Sequence, residues 1–208
     1  MKKLILAIFV LVVMAVPAIS SAAPPRVGPY VSGFIGMTIP ADADAGFFNE
    51  EIEFDPGLNV GGTAGMDFGA VRVEGEISYK EADVDTITDR GTGQTFRGIE
   101  GGLEATAFMV NLFVDLHSPG PITPYFGGGV GFAALHQSEI YDDFGTFYIA
   151  DDEMVFAYQA GAGLEVALNR QVSLDLGYRY FRTSEATFAD TEMEFESHNA
   201  TVGLRLKF

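Results

Sequence analysis

The 208-residue chain contains no cysteine. Disulfides, cysteine-based metal centres and the lipidated N-terminal cysteine of a bacterial lipoprotein are thereby excluded. After Ala22 the chain also lacks any apolar run approaching the roughly 20 residues a membrane-crossing helix requires. If this part of the chain lives in a membrane, it must cross as strands. Basic residues are scarce too: 12 Lys and Arg stand against 29 Asp and Glu, a formal net charge of -17. Such a surface repels a phosphate backbone, so nucleic acid is not an expected partner.

The one long apolar run lies at the start. Lys2 and Lys3 precede the stretch from Leu4 to Ile19, and the small residues Ser20, Ser21, Ala22 and Ala23 follow it. This is the three-part layout of a secretory signal peptide. Cleavage is expected after Ala22, because a cut after Ala23 would set Pro24 beside the scissile bond. Residues 1–22 are thus expected to be a signal peptide and 23–208 a single domain. The alternative, an uncleaved anchor helix, fits poorly with so short a run and its small-residue end.

The rest of the chain alternates with a period of two, the spacing of a strand with two different faces. From Val71 to Lys80, the residues Val71, Val73, Gly75, Ile77 and Tyr79 oppose Arg72, Glu74, Glu76, Ser78 and Lys80. Just before it, Leu58, Val60, Ala64, Met66 and Phe68 oppose Asn59, Gly61, Thr63, Gly65 and Asp67, leaving Gly69-Ala70 as a tight hairpin turn. Six further strands are expected near 30–39, 105–116, 125–135, 154–168, 172–180 and 197–208. Eight segments of about ten residues suit tilted strands crossing a hydrocarbon layer.

Alternation does not reveal which face is inside, and a soluble barrel would turn its apolar face inward. Three observations favour the inverted arrangement, an eight-stranded antiparallel up-and-down transmembrane β-barrel. The two-faced strands follow one another without a helical or linker region. Aromatics (Tyr30, Phe68, Tyr79, Tyr125, Tyr178, Tyr180, Phe208) gather near strand ends, as an interfacial girdle would. Connections also alternate in length: short at Gly69-Ala70, 117–123 and 169–171, long at about 40–57, 81–103, 136–153 and 183–196. Outer-membrane barrels have short periplasmic turns and long external loops, so the termini are expected on the periplasmic side.

Three segments carry a family resemblance: Pro124-Tyr125-Phe126-Gly127-Gly128-Gly129-Val130-Gly131, Leu174-Asp175-Leu176-Gly177-Tyr178-Arg179-Tyr180, and Asn199-Ala200-Thr201-Val202-Gly203-Leu204-Arg205-Leu206-Lys207-Phe208. In this order they resemble the OmpA-like and opacity-type outer-membrane barrels of Gram-negative bacteria. The resemblance implies a porin-like surface protein that contacts outer-membrane lipid and lipopolysaccharide. It also implies that Val202, Leu204, Leu206 and Phe208 form the terminal signal read by the outer-membrane assembly machinery. No periplasmic peptidoglycan-binding domain is expected in this chain.

An eight-stranded barrel leaves an interior just wide enough for side chains to fill. The face expected to point inward carries Asp67, Glu74, Glu76, Asp115, Glu165 and Asp175 with Arg72, Arg179, Arg205 and Lys207. Charges of both signs in so narrow a space are expected to pair and plug it. A narrow cation-selective path is the alternative. The long connections are mostly acidic. The first has Asp42, Asp44, Glu50, Glu51, Glu53 and Asp55; the third has Glu139, Asp142, Asp143, Asp151, Asp152 and Glu153; neither has a basic residue. Carboxylate clusters such as Asp42, Asp44 and Glu53, or Asp142, Asp143, Asp151 and Asp152, could loosely hold Ca²⁺ or Mg²⁺ and bridge to lipopolysaccharide. No other cofactor is expected. Phe47, Phe48, Phe144, Phe147 and Tyr148 offer contact points for an extracellular ligand. A rival reading is a lipid A acyl hydrolase in which His136 activates Ser138, but the surrounding strand resembles the non-enzymatic families better.

Overall fold

The computed structural model describes residues 27–41, 43–45, 50–89, 94–97, 102–116, 120–137, 152–184, 186–188 and 191–208. The expected signal peptide lies outside them. Every regular element among the described residues is a strand. Eight are long: β1 (Gly28–Pro40), β2 (Gly57–Asp67), β3 (Val71–Asp89), β4 (Gly102–Asp115), β5 (Ile122–Gln137), β6 (Asp152–Ala167), β7 (Val172–Thr183) and β8 (Glu196–Lys207). Each pairs antiparallel with its chain neighbours, and β8 returns to β1, from Tyr30 opposite Lys207 to Pro40 opposite Ser197. The ring is closed, so the barrel wall has no unpaired edge.

The register sets the dimensions. Partners traced from Val31 run through Ala64, Gly75, Val110, Val130, Tyr158 and Arg182 to Glu196. The Glu196 carbonyl then accepts from the Ala41 amide, ten residues beyond the start on the same chain. Eight strands with that stagger imply a tilt of about 40° and a backbone radius of about 8 Å. A strand so inclined rises about 2.5 Å per residue, so about ten residues span the apolar band.

The apolar face is outside. On β3 the side chains of Arg72, Glu74, Glu76, Ser78 and Lys80 are buried, whereas Val73 and Ile77 are exposed. On β4, Val110 is 62% exposed between two buried neighbours, Met109 and Asn111. Water would penalise such an outer wall heavily; lipid would not.

Three details differ from the sequence expectations. The link between β2 and β3 has three residues, 68–70, because Phe68 has already left the ladder; its amide donates to the Val71 carbonyl at 2.9 Å. Gly69 takes φ of 94°, and its amide donates to Asp67 Oδ1 at 2.8 Å. Second, Tyr30 and Tyr125 do not join the outer girdle but lie inside, 1% and 4% exposed. They are in phase with the inward residues of their strands. Third, β3 continues to Asp89, where a mostly β-branched run, Val84 to Thr88, sustains the strand. There Glu50–Phe54 pairs with Val84–Asp89 and Gln94–Arg97 with Thr86–Asp89. The first two long connections therefore extend the sheet beyond the barrel.

Candidate functional site in the lumen and at the loop-bearing rim

Side-chain parity aims all ten expected lumen charges inward, and the register decides which of them meet. Near the short turns, Lys207 Nζ lies 3.1 Å from Asp67 Oδ2 and 2.7 Å from Glu165 Oε1. Arg205 pairs with that same Glu165 through Nη1 and with Asp175 through Nη2 at 2.8 Å. Arg72 Nε is 2.8 Å from Asp115 Oδ2, and its guanidinium stacks 4.6 Å from the Tyr125 ring centre and 5.4 Å from that of Phe113. One level up, Arg179 bonds Glu76 through Nη1 and sits 3.5 Å from Glu74.

Neutral side chains complete the network. The Tyr30 hydroxyl donates to Glu74 at 2.7 Å and that of Tyr125 to Asp175 at 2.8 Å. Asn111 and Gln159 donate to Glu76 at 2.8 and 3.1 Å, and Gln159 donates to Asn111 Oδ1 at 2.7 Å. Buried carboxylates this well supplied with donors escape the cost of isolated buried charge. Arg72 Nη1 and Nη2, Arg179 Nε and Arg205 Nε are buried with no acceptor among the described protein groups.

The other half, beneath the long connections, has a different chemistry. Ala105, Ala107, Met109, Ala133, Leu135, Val155, Ala157, Phe181 and Phe195 form one buried apolar cluster. Beside it lie buried polar groups: Asn59 donates to Asn199, and Lys80, opposite Ala105 in the ladder, donates through Nζ to Ser78 Oγ at 2.8 Å. Lys80 is 2% exposed and lies 4.2 Å from the Phe181 ring centre, a cation–π contact. Sequence reasoning put Lys80 on the inward face without counting it among the lumen charges. Phe195 gave no periodic signal, since it lies just before β8.

On the outer wall at this end, the Tyr178 hydroxyl and His198 Nδ1 share a 2.7 Å hydrogen bond, and Tyr180 packs against the same imidazole. Directly above, Arg182 bonds Glu194 and lies 3.8 Å from Glu196. The step from apolar wall through aromatic hydroxyls to charges marks the level of the lipid headgroups.

The terminal residues Val202, Leu204, Leu206 and Phe208 all project outward. Of the acidic candidates, Asp42, Asp142, Asp143 and Asp151 lie outside the described residues. Asp44, Glu53 and Asp152 are described through the backbone alone, opposite Glu51, Thr86 and His136. Among the described residues no three metal-ligating side chains converge. His136, the penultimate residue of β5, is exposed, and Ser138 lies outside the described residues.

Residues 8–208 match the family described as outer membrane protein beta-barrel domain. An uncharacterized protein of Brucella abortus is 38% identical over 87 residues, an alignment covering 36% of this chain and 29% of that protein. The outer membrane protein PagN of Salmonella typhimurium is 27% identical over 105 residues, covering 49% of this chain and 44% of PagN. The chain thus spans less than half the length of these relatives. In three dimensions, Neisserial surface protein A superposes with a TM-score of 0.57 at 17% identity, covering 87% of this chain and 97% of that one.

Proposed function

This chain belongs to the outer membrane protein beta-barrel family, and on that premise we propose that it is a non-enzymatic surface-interaction protein whose partners meet its acidic external loops. One observation carries the reading. The lumen sets six carboxylates against five cations, counting Lys80, so nearly all of the -17 charge lies elsewhere. The acids cluster in the long connections, where eleven of them stand between Asp42 and Asp55 or between Glu139 and Asp152 without a basic residue. Carboxylates at that density favour partners that bring cations. Ca²⁺ or Mg²⁺ shared with lipopolysaccharide phosphates is the first, and a basic extracellular ligand is the second. PagN and Neisserial surface protein A are named as outer-membrane and surface proteins, which agrees with a role outside the cell.

The same reading assigns residues 1–22 to a cleaved secretion signal and residues 23–208 to the barrel and its loops. The outward Val202, Leu204, Leu206 and Phe208 serve recognition by the assembly machinery. The paired lumen charges are structural.

The test uses loop deletions within 43–53 and 142–151 in cells and in refolded protein. Calorimetric Ca²⁺ titration should show weak binding, about 10⁻⁴–10⁻³ M as in other extracellular sites. Retention on lipopolysaccharide or on host-cell layers should fall with each deletion and with chelator. Undiminished retention in both deletions would refute the reading. Mass spectrometry of lipid A should find no acyl chain removed by the protein; its removal would instead favour the His136 and Ser138 chemistry.

A further inference from the structure

The outward rungs shared by β7 and β8 change character toward the long loops. Leu174 faces Leu204 and Leu176 faces Val202; then Tyr178 faces Ala200, Tyr180 faces His198 and Arg182 faces Glu196. The last rung stands about 15 Å beyond the Leu176 rung, taking about 2.5 Å of rise per residue. Its two charges are not fully paired with each other. Arg182 gives Nε, at 3.1 Å, and Nη2 to Glu194, the second residue before β8. Nη1 stands 3.8 Å from Glu196, beyond hydrogen-bond range. The Tyr180 hydroxyl contacts both groups. A guanidinium and a carboxylate thus lie side by side on the open wall, each about a third exposed at 35% and 32%.

The rungs below supply a frame. Tyr178 and His198 Nδ1 share a 2.7 Å hydrogen bond, and the Tyr180 ring packs against the imidazole with centres 5.5 Å apart. When the Tyr178 hydroxyl donates, the proton of the neutral ring is on Nε2, a second donor one rung below Arg182. Beside the two tyrosines, β6 turns only Ala162 and Ala160 outward, a shallow strip along which an acyl chain can lie.

We propose that this rung binds one zwitterionic headgroup of the outer leaflet, a lipid A phosphate substituted with ethanolamine. The phosphate lies on Arg182 Nη1 and His198, and the ammonium on Glu196 and the face of the Tyr180 ring. Charge complementarity carries the choice. A bare phosphate would meet two carboxylates beside one guanidinium, and a bare ammonium would meet the guanidinium. A headgroup of both signs leaves neither charge opposed. The surface-interaction reading also takes lipopolysaccharide as a partner, but through acidic loops and bridging metal ions. Here Arg182 and Glu196 are barrel-strand residues and no bridging ion is needed.

Native mass spectrometry tests it, using refolded protein in detergent with chelator and equal amounts of lipid A with and without phosphoethanolamine. The heat-shifted gel band reports folding. The wild type should retain the substituted lipid about fivefold over the plain one. E196Q should bring that ratio to about one, and R182Q should lower retention of both lipids about fivefold. Deletions within 43–53 and 142–151 should change neither value, which separates this site from the acidic loops; loss of the preference in either deletion overturns the proposal. Equal retention of both lipids by the wild type overturns it, as does an E196Q that keeps the preference or an R182Q that binds as the wild type does. Both substitutions lie on the outer wall; if one variant fails to fold, the other decides.

Discussion

Replacing Arg205 by Met should expose how much of the barrel's stability rests on the lumen charges. Arg205 bonds both Glu165 and Asp175, and its guanidinium lies 4.8 Å from the Tyr30 ring centre. Methionine keeps much of the stem volume and removes the charge. Glu165 would then retain Lys207 at 2.7 Å, and Asp175 would retain the Tyr125 hydroxyl at 2.8 Å. Removing one partner of a buried ion pair costs about 3–5 kcal/mol. The two surviving contacts place the expected loss at the low end, about 3 kcal/mol. Urea unfolding in detergent micelles, followed by circular dichroism and by the heat-shifted gel band, measures it. A double-mutant cycle with Glu165→Gln should return a coupling of about 1–3 kcal/mol, since the two side chains touch. A loss below about 1 kcal/mol, the range of solvent-exposed pairs, would refute a lumen in which these charges are shielded.

Three further outcomes are expected. Val110→Arg, on the most exposed part of the outer wall of β4, should cost about 2–4 kcal/mol in lipid, and Leu206→Arg near the barrel end about 0–1; equal and negligible losses would place the wall in water. Gly163→Val should cost about 1–3 kcal/mol through overpacking, because a Cβ there would stand 2.4 Å from both the Leu176 carbonyl and the Tyr125 hydroxyl. The outward Gly33→Val, whose nearest neighbour would be 4.0 Å away, should be close to neutral, and the reverse order in urea unfolding would contradict the assigned faces. Deleting Phe208 should lower the amount of protein inserted into the outer membrane of cells while leaving the urea midpoint of refolded protein unchanged. Undiminished insertion would remove the assembly role given to the outward terminal residues.

Much of the architecture is already legible in the chain. Alternation is a local property, so Val73, Gly75 and Ile77 separate from Arg72, Glu74 and Glu76 without knowledge of any neighbouring strand. Count, order and face follow from it. Even the misassigned tyrosines carried the right signal, because Tyr30 is out of phase with Val31 and Tyr125 with Phe126.

Pairing across the lumen was beyond that reach. Lys207 meets Asp67 across 140 positions of sequence, and Asn59 meets Asn199 across the same separation. Such contacts depend on the stagger of the closed ring, and moving one strand by two residues preserves every face while changing every partner. Parity also says nothing about Phe195, which lies outside any barrel strand and reaches the lumen only because its backbone bonds to Thr183. The sequence by itself thus determined a lipid-facing barrel with a charged interior and acidic loops, since these follow from local chemistry. Tertiary structure alone decided that the inward charges pair into one network near the short turns while an apolar cluster gathers beneath the long connections, because closure and register choose the neighbours of each inward side chain.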